Sequence, residues 1–153
     1  MTAARPLVIG YGNSLRGDDA VGPLAAEAMA SDVRFAGVTV LRVHQLTPEL
    51  ADDVAGATQL VIIDAVADDN PPGTVRVTAI ADGSGGTSFT HHVSPGTILG
   101  LAIVLHGHAP PGTAVTVSVA DLDGPRGLTP GVAAALPQVV EAVAELVLGR
   151  GRA

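Results

Sequence analysis

Four consecutive large aliphatic residues at positions 60–63 limit the fold of this chain more than any other segment. A run that is apolar at every position and rich in β-branched side chains is typical of a strand buried on both faces of a parallel sheet. Such a strand needs a helical layer on each side of the sheet. The run stops at Asp64, where we expect the strand to end.

The other apolar segments alternate between strand and helix patterns. Further strands are predicted at residues 7–9, 38–43, 74–80 and 114–119. Helices are predicted at residues 21–29 and after the capping pairs Thr47-Pro48, Ser94-Pro95 and Thr129-Pro130. Pro137 is expected to kink or restart the last helix.

The short connection between residues 64 and 74 bears on the topology of the sheet. A parallel crossover needs about a dozen residues or more, so the strands at 60–63 and 74–80 are predicted to form an antiparallel hairpin. The predicted fold class is α/β, a three-layer sandwich with a mixed, mainly parallel sheet of about five strands and helices on both faces. Residues 1–153 are expected to form a single domain.

The composition excludes several kinds of chemistry. The chain contains no cysteine and no lysine, which removes thiolate nucleophiles, disulfides, Schiff bases and the lysine of a phosphate-binding loop. A formal net charge of −7 disfavours binding to nucleic acid and to anionic membranes. We find no apolar run of about 20 residues and no room for a signal peptide before the first strand, so a cytoplasmic protein is expected.

Three carboxylates are predicted to converge at one edge of the sheet. Asp18 and Asp19 follow the first strand and Asp64 follows the central one, and ligands of open α/β sheets bind outside the carboxyl ends of the strands. Asp18 and Asp19 also suit a structural role at a helix N-terminus. Asp64 should be partly desolvated, which is costly unless it has a partner, a metal or a function.

The adjacent histidines His91 and His92 precede the third helix. Neighbouring residues point in different directions, so the two need not face one site, and a loop histidine is more often a hydrogen-bonding group than a ligand. The remaining histidines are interpreted as structural: His44, His106 and His108.

The glycine-rich loop after the first strand does not fit the common nucleotide or hydrolase motifs. Gly10-Tyr11-Gly12 lacks the third glycine of a dinucleotide fingerprint, and Arg16 stands where a G-x-S-x-G elbow around Ser14 needs glycine. A nucleotide- or phosphate-binding protein therefore stays only as a minor alternative.

The same loop resembles a family signature. Residues 10–22 match the pattern G-x-G-N-x-L-x-x-D-[DE]-x-x-G of the hydrogenase maturation endopeptidases. Three shorter segments are similar to further family motifs, in the same order: Ile62-Ile63-Asp64-Ala65, Thr90-His91 and Gly127-Leu128-Thr129-Pro130.

The resemblance implies a function and a set of site residues. Family members remove a C-terminal extension from the large-subunit precursor of a nickel-iron hydrogenase after nickel insertion. Carried over, the metal ligands are Asp19, Asp64 and His91, and Asp19 and Asp64 are also the catalytic residues of a peptidase, of aspartic type if one of them activates water. Residues expected to contact the substrate are Asn13, Asp18 and His92.

Nickel would arrive with the precursor, so no permanent cofactor is implied, and the expected state is a monomer that binds neither nucleic acid nor membrane. Imidazole and carboxylate suit a borderline divalent ion. Two points stay open. His92 competes with His91 as the ligand, and a non-catalytic chaperone that binds the nickel-loaded precursor is the alternative function.

Overall fold

The computed structural model of the protein describes residues 4–81 and 93–149. These residues form five strands and four α-helices. The strands are β1 (Pro6–Tyr11), β2 (Thr39–Val43), β3 (Gln59–Ala67), β4 (Val75–Ala79) and β5 (Gly112–Val119). The helices are α1 (Val21–Ala30), α2 (Leu50–Ala55), α3 (Pro95–His106) and α4 (Pro130–Leu148).

All five strands belong to one sheet in the order β2-β1-β3-β5-β4. The pairs β1–β2, β1–β3 and β3–β5 are parallel, and only the edge pair β4–β5 is antiparallel. The predicted α/β class with a mixed, mainly parallel sheet is therefore confirmed.

Helices cover both faces of this sheet. Alternate residues of β1 and β3 face opposite layers: Leu7, Ile9, Leu60 and Ile62 pack in one buried cluster with α2 and α3. Val8, Val61 and Ile63 pack in the other cluster with α1 and α4. The period of two residues along each strand produces the two cores.

The central strand extends further than predicted. Instead of ending at Asp64, β3 continues to Ala67, because β5 pairs with it as far as Ala67↔Val119. On the other side the ladder with β1 stops at Gly10↔Ile63. Asp64 therefore lies within β3 but one residue after Ile63, the last residue of β3 that pairs with β1.

The predicted hairpin between the central strand and the strand after it is wrong. β4 pairs with β5, and β5 lies between β4 and β3. Burial explains the order. Val115, Val117 and Val119 of β5 are fully buried, as an inner strand requires, whereas most side chains of β4 are exposed, as suits an edge.

The helix boundaries agree with the capping signals at two of three sites. Ser94 accepts a hydrogen bond from the N–H of Thr97 at 3.1 Å at the start of α3, and Thr129 is the N-cap of α4. The predicted start of the helix at Thr47 was two residues too early. Residues 47–49 form turns, and α2 begins at Leu50 with Glu49 as its N-cap.

Helix α4 continues through Pro137 to Leu148 rather than restarting. Among the described residues, it is the one helix whose length and apolarity would suffice to cross a membrane. Five of its residues are buried in the core that it shares with α1 and the sheet: Val132, Ala135, Val139, Val143 and Ala144. That packing is typical of the core helix of an α/β domain.

Candidate active site

The loop between β1 and α1 is folded around the carboxylate of Asp19. The N–H of Asn13 donates to Oδ2 of Asp19 at 2.7 Å, and Oδ1 of Asn13 accepts from the N–H of Leu15 at 2.9 Å. The N–H of Gly12 donates to the carbonyl of Val43 at 3.2 Å, which ties the end of β1 to the end of β2. Asn13 thus acts through its backbone on Asp19 and through its side chain on the loop.

Glycine is required at position 12 by both conformation and space. Gly12 has a φ of 150°, and a Cβ atom there would lie 2.1 Å from the carbonyl oxygen of Asp19. Gly22 in α1 faces a similar limit, because a Cβ would lie 2.5 Å from the carbonyl of Tyr11. These glycines let the start of α1 approach the end of β1 closely, which brings Asp19 to the carboxyl edge of the sheet.

Asp18 faces the interior. Its side chain is only 2% exposed. Oδ1 accepts from the N–H of Thr129 at 2.7 Å and Oδ2 accepts from the Thr129 hydroxyl at 2.8 Å. Both oxygens thus hold the first residues of α4 to the β1–α1 loop. This arrangement leaves Asp18 little surface to offer a substrate, so the contact with substrate expected from the sequence gains no support here.

Asp19 and Asp64 lie close enough to influence each other. Burial raises the pKa of Asp64 from 3.8 to about 6, and the negative charge of Asp19 adds to the rise. Hydrogen bonding from the Tyr11 hydroxyl and from the backbone of Ala65 partly opposes it. The prediction that Asp64 is a partly desolvated carboxylate is confirmed.

Tyr11 belongs to the same group. Burial, the charge of Asp64 and the hydrogen bond to Asp64 all raise the pKa of the phenol, so Tyr11 stays protonated and its O–H donates a hydrogen bond to the carboxylate. A carboxyl group with a pKa near 6 can either accept or give up a proton at neutral pH, which is what general acid–base catalysis requires. Tyr11 was not predicted as a site residue, since it occupies a variable position in the loop pattern, although its place between Gly10 and Gly12 was a signal.

The third expected metal ligand lies in a part of the chain that is not described. His91 and His92 both fall between residues 82 and 92. Within residues 4–81 and 93–149, no three histidine or acidic side chains are grouped as a metal site. Asp19 and Asp64 are the two predicted ligands that lie within the described residues, and their assignment stays a prediction.

The other histidines have structural surroundings. Nε2 of His106 is 2.7 Å from Oδ1 of Asp52, and Nε2 of His108 is 2.8 Å from the carbonyl oxygen of Ala55. Both contacts join the end of α3 to α2, as expected of histidines at a helix terminus. His44 is exposed at the end of β2.

Comparison with known proteins identifies relatives over nearly the full length. The chain is 37% identical to the hydrogenase 2 maturation protease of Escherichia coli (strain K12), over 92% of each sequence. It superimposes on the hydrogenase maturating endopeptidase HybD from E. coli with a TM-score of 0.72 and 33% identity, over 96% of this chain and 94% of that one.

Two more distant structures share the fold. A hydrogenase 2 maturation peptidase from a Thaumarchaeota archaeon has a TM-score of 0.72 at 27% identity, covering 95% of this chain and 98% of that one. The hydrogenase maturation protease HycI from Thermococcus kodakarensis KOD1 has a TM-score of 0.76 at 20% identity, covering 95% and 93% of the two chains.

No protein-family model matches the sequence. The identity to the E. coli protease and its coverage of both chains are nevertheless sufficient to assign the relationship. Together with the loop signature around Asp19 and the three-layer fold, they show that the chain belongs to the family of hydrogenase maturation endopeptidases.

Proposed function

We propose that the protein is an endopeptidase that removes the C-terminal extension from the large-subunit precursor of a nickel-iron hydrogenase once nickel has been inserted. The observation that carries the proposal is the pair of carboxylates, Asp19 and Asp64, at the open carboxyl edge of the sheet. Family membership supports it, since the E. coli relative is named as a hydrogenase 2 maturation protease.

In this proposal, Asp19, Asp64 and His91 recognise the nickel that the precursor carries. Two carboxylates and one imidazole leave coordination positions open for the precursor's own ligands. The protein should therefore bind free nickel weakly. It should bind the nickel-loaded precursor much more tightly than it binds nickel alone or the nickel-free precursor. Since all three ligands come from one chain, a monomer suffices.

The place of α3 in the fold supports the proposed role of His91. Asp64 is two residues after Ile62 on β3, so its side chain is on the face covered by α3. Because α3 leads into β5, which is parallel to β3, α3 begins at the carboxyl edge of the sheet. His91 precedes the first residue of α3 by four positions.

The hydrolytic step assigned to this site uses Asp64 as a proton carrier. A carboxylate takes a proton from water as the water oxygen attacks the scissile carbonyl, and the carboxylic acid returns that proton to the leaving amine as the C–N bond breaks. The raised pKa of Asp64, about 6, suits both halves of this cycle. Tyr11 orients Asp64, and Asp19 supplies the second carboxylate.

Single substitutions test these roles. We expect Asp19→Asn, Asp64→Asn and His91→Ala each to abolish release of the extension from the nickel-loaded precursor, measured by the mass of the large subunit. Asp69→Asn is the matched control, because Asp69 is exposed and lies in the loop after β3, and it should cleave at the wild-type rate.

The same assay decides between protease and chaperone. Release of the extension by the purified protein supports the protease, whereas stable binding of the loaded precursor with its extension intact would establish the chaperone. Full activity in His91→Ala and none in His92→Ala would transfer the ligand role to His92.

A further inference from the structure

A groove that begins at the loop around Asp19 carries a net positive charge, opposite to that of the carboxylate. It has a volume of about 470 Å³ and lies between α1 and the end of β2. We call it the α1–β2 groove. Its wall includes Gly12, Ser14, Leu24, Arg42, His44 and Arg126.

The groove begins at the active-site loop. Gly12 and Ser14 line it, and they flank Asn13, whose N–H is bonded to Asp19. From Ala20, the residue before α1, the groove extends along the helix to Glu27. Seven residues of helix cover about 10 Å, which equals about three residues of extended chain. A polypeptide held at Asp19 can therefore continue into the groove.

Arg126 is the cation that the groove leaves available. Three other arginines form ion pairs: Arg16 with Asp123, Arg34 with Asp32 and Glu141, and Arg42 with Glu27. Within the described part of the chain, no carboxylate is paired with Arg126, and its side chain is exposed. With Arg42 offset by Glu27, the groove keeps one positive charge, that of Arg126.

This local charge stands out in a chain with a formal net charge of −7. The Asp19–Asp64 pair attracts a positive group and the adjacent groove attracts a negative one. The two together therefore favour a substrate whose positive and negative groups follow in that order along its chain. Arginine is suited to this because its planar guanidinium binds a carboxylate through two hydrogen bonds.

We propose that the α1–β2 groove binds the precursor chain next to the scissile bond, an inference that rests on the proposed function. Arg126 selects an acidic side chain within about four residues of that bond. Nickel at the carboxylates and an acidic residue at Arg126 fix the direction and register of the bound chain. Arg126 is thus a specificity residue for the hydrogenase that is processed.

The test compares Arg126→Gln with Arg5→Gln on the nickel-loaded precursor. Both changes remove one positive charge, and Arg5 is exposed beside β1 at the opposite edge of the sheet. We expect Arg126→Gln to raise KM about three- to tenfold with kcat unchanged, the range for one charge pair in a partly exposed groove. Arg5→Gln should match the wild type.

The second arm changes the substrate. Precursors whose acidic residues within about four positions of the scissile bond are replaced by their amides should be cleaved with the same, raised KM by the wild type and by Arg126→Gln. Two results would overturn the groove assignment and leave the proposed function intact. One is an equal KM of the wild type and Arg126→Gln for the unaltered precursor. The other is a KM of Arg126→Gln for the amide precursor that is still about three- to tenfold above that of the wild type. Failure of the wild type to cleave any loaded precursor would overturn the proposed function and this inference with it.

Discussion

Replacing Asp64 with asparagine should stabilise the protein while removing its activity. The pKa of Asp64 is raised from 3.8 to about 6 by burial and by the charge of Asp19. That difference corresponds to about 3 kcal/mol by which folding disfavours the ionised carboxylate at neutral pH. Asparagine has the same shape without the charge but accepts a weaker hydrogen bond from Tyr11, so we expect a net gain of about 1 to 3 kcal/mol.

The sign of the pH dependence follows from the raised pKa. Above about pH 6 Asp64 is ionised in both the folded and the unfolded state, and the full penalty applies to the folded state. As the pH falls through 6 towards 3.8, the folded protein takes up its proton first, and below 3.8 the penalty has gone. The advantage of Asp64→Asn should therefore be largest at neutral pH and vanish near pH 4.

Thermal unfolding with a metal chelator present, at a series of pH values, measures this difference. A gain of 1 to 3 kcal/mol corresponds to a rise in Tm of about 3 to 10 °C for a chain of this size. Asp69→Asn, which removes an exposed carboxylate, should leave Tm nearly unchanged. A lower Tm for Asp64→Asn at neutral pH, or a gain that persists unchanged to pH 4, would refute the account of Asp64 as a desolvated functional carboxylate.

Three further changes probe the surroundings of the pair. Gly12→Ala should destabilise the fold by about 1 to 3 kcal/mol and abolish processing, because its Cβ would lie 2.1 Å from the carbonyl oxygen of Asp19. Thermal unfolding measures the loss, and Gly37→Ala is the control because a Cβ there would have no atom within 4 Å. Thr129→Val should cost about 1 to 3 kcal/mol by leaving a buried oxygen of Asp18 without its donor, and chemical denaturation should find Thr129→Ser close to wild type. Tyr11→Phe should raise the pKa of Asp64 further, since the phenol stabilises the carboxylate; a carboxyl titration followed by NMR that shows no upward shift would contradict this role.

Much of the fold could be predicted from hydrophobic pattern and capping residues. Positions 60–63 are buried at the centre of a mainly parallel sheet, and the pairs at Ser94 and Thr129 begin helices, because these signals depend on local burial and backbone geometry. The pairing of β4 was not predictable from the short connection before it. The burial of β5, which favours its place next to β3, depends on packing against α4, which comes later in the chain.

For the candidate site, the features that depend on local sequence were predictable and those that depend on distant residues were not. The desolvation of Asp64 followed from its neighbours in sequence, because a carboxylate after four buried residues stays close to the core. The separate environments of Asp18 and Asp19 did not follow, since they depend on Thr129, 111 residues further along the chain. The hydrogen bond between Tyr11 and Asp64 and the proposed role of Arg126 were likewise not predictable, because each depends on residues brought together only by folding.

In the proposed mechanism, the carboxylates at this edge recognise the nickel that the precursor carries. The direct test incubates the protein with the large-subunit precursors of its own host's hydrogenases, each with and without nickel, and follows the loss of the C-terminal peptide by mass spectrometry. We predict cleavage of one precursor only when it contains nickel, and none by Asp64→Asn. Equal cleavage of the nickel-free precursor would contradict the account, because Asp19, Asp64 and His91 would then have no metal to recognise.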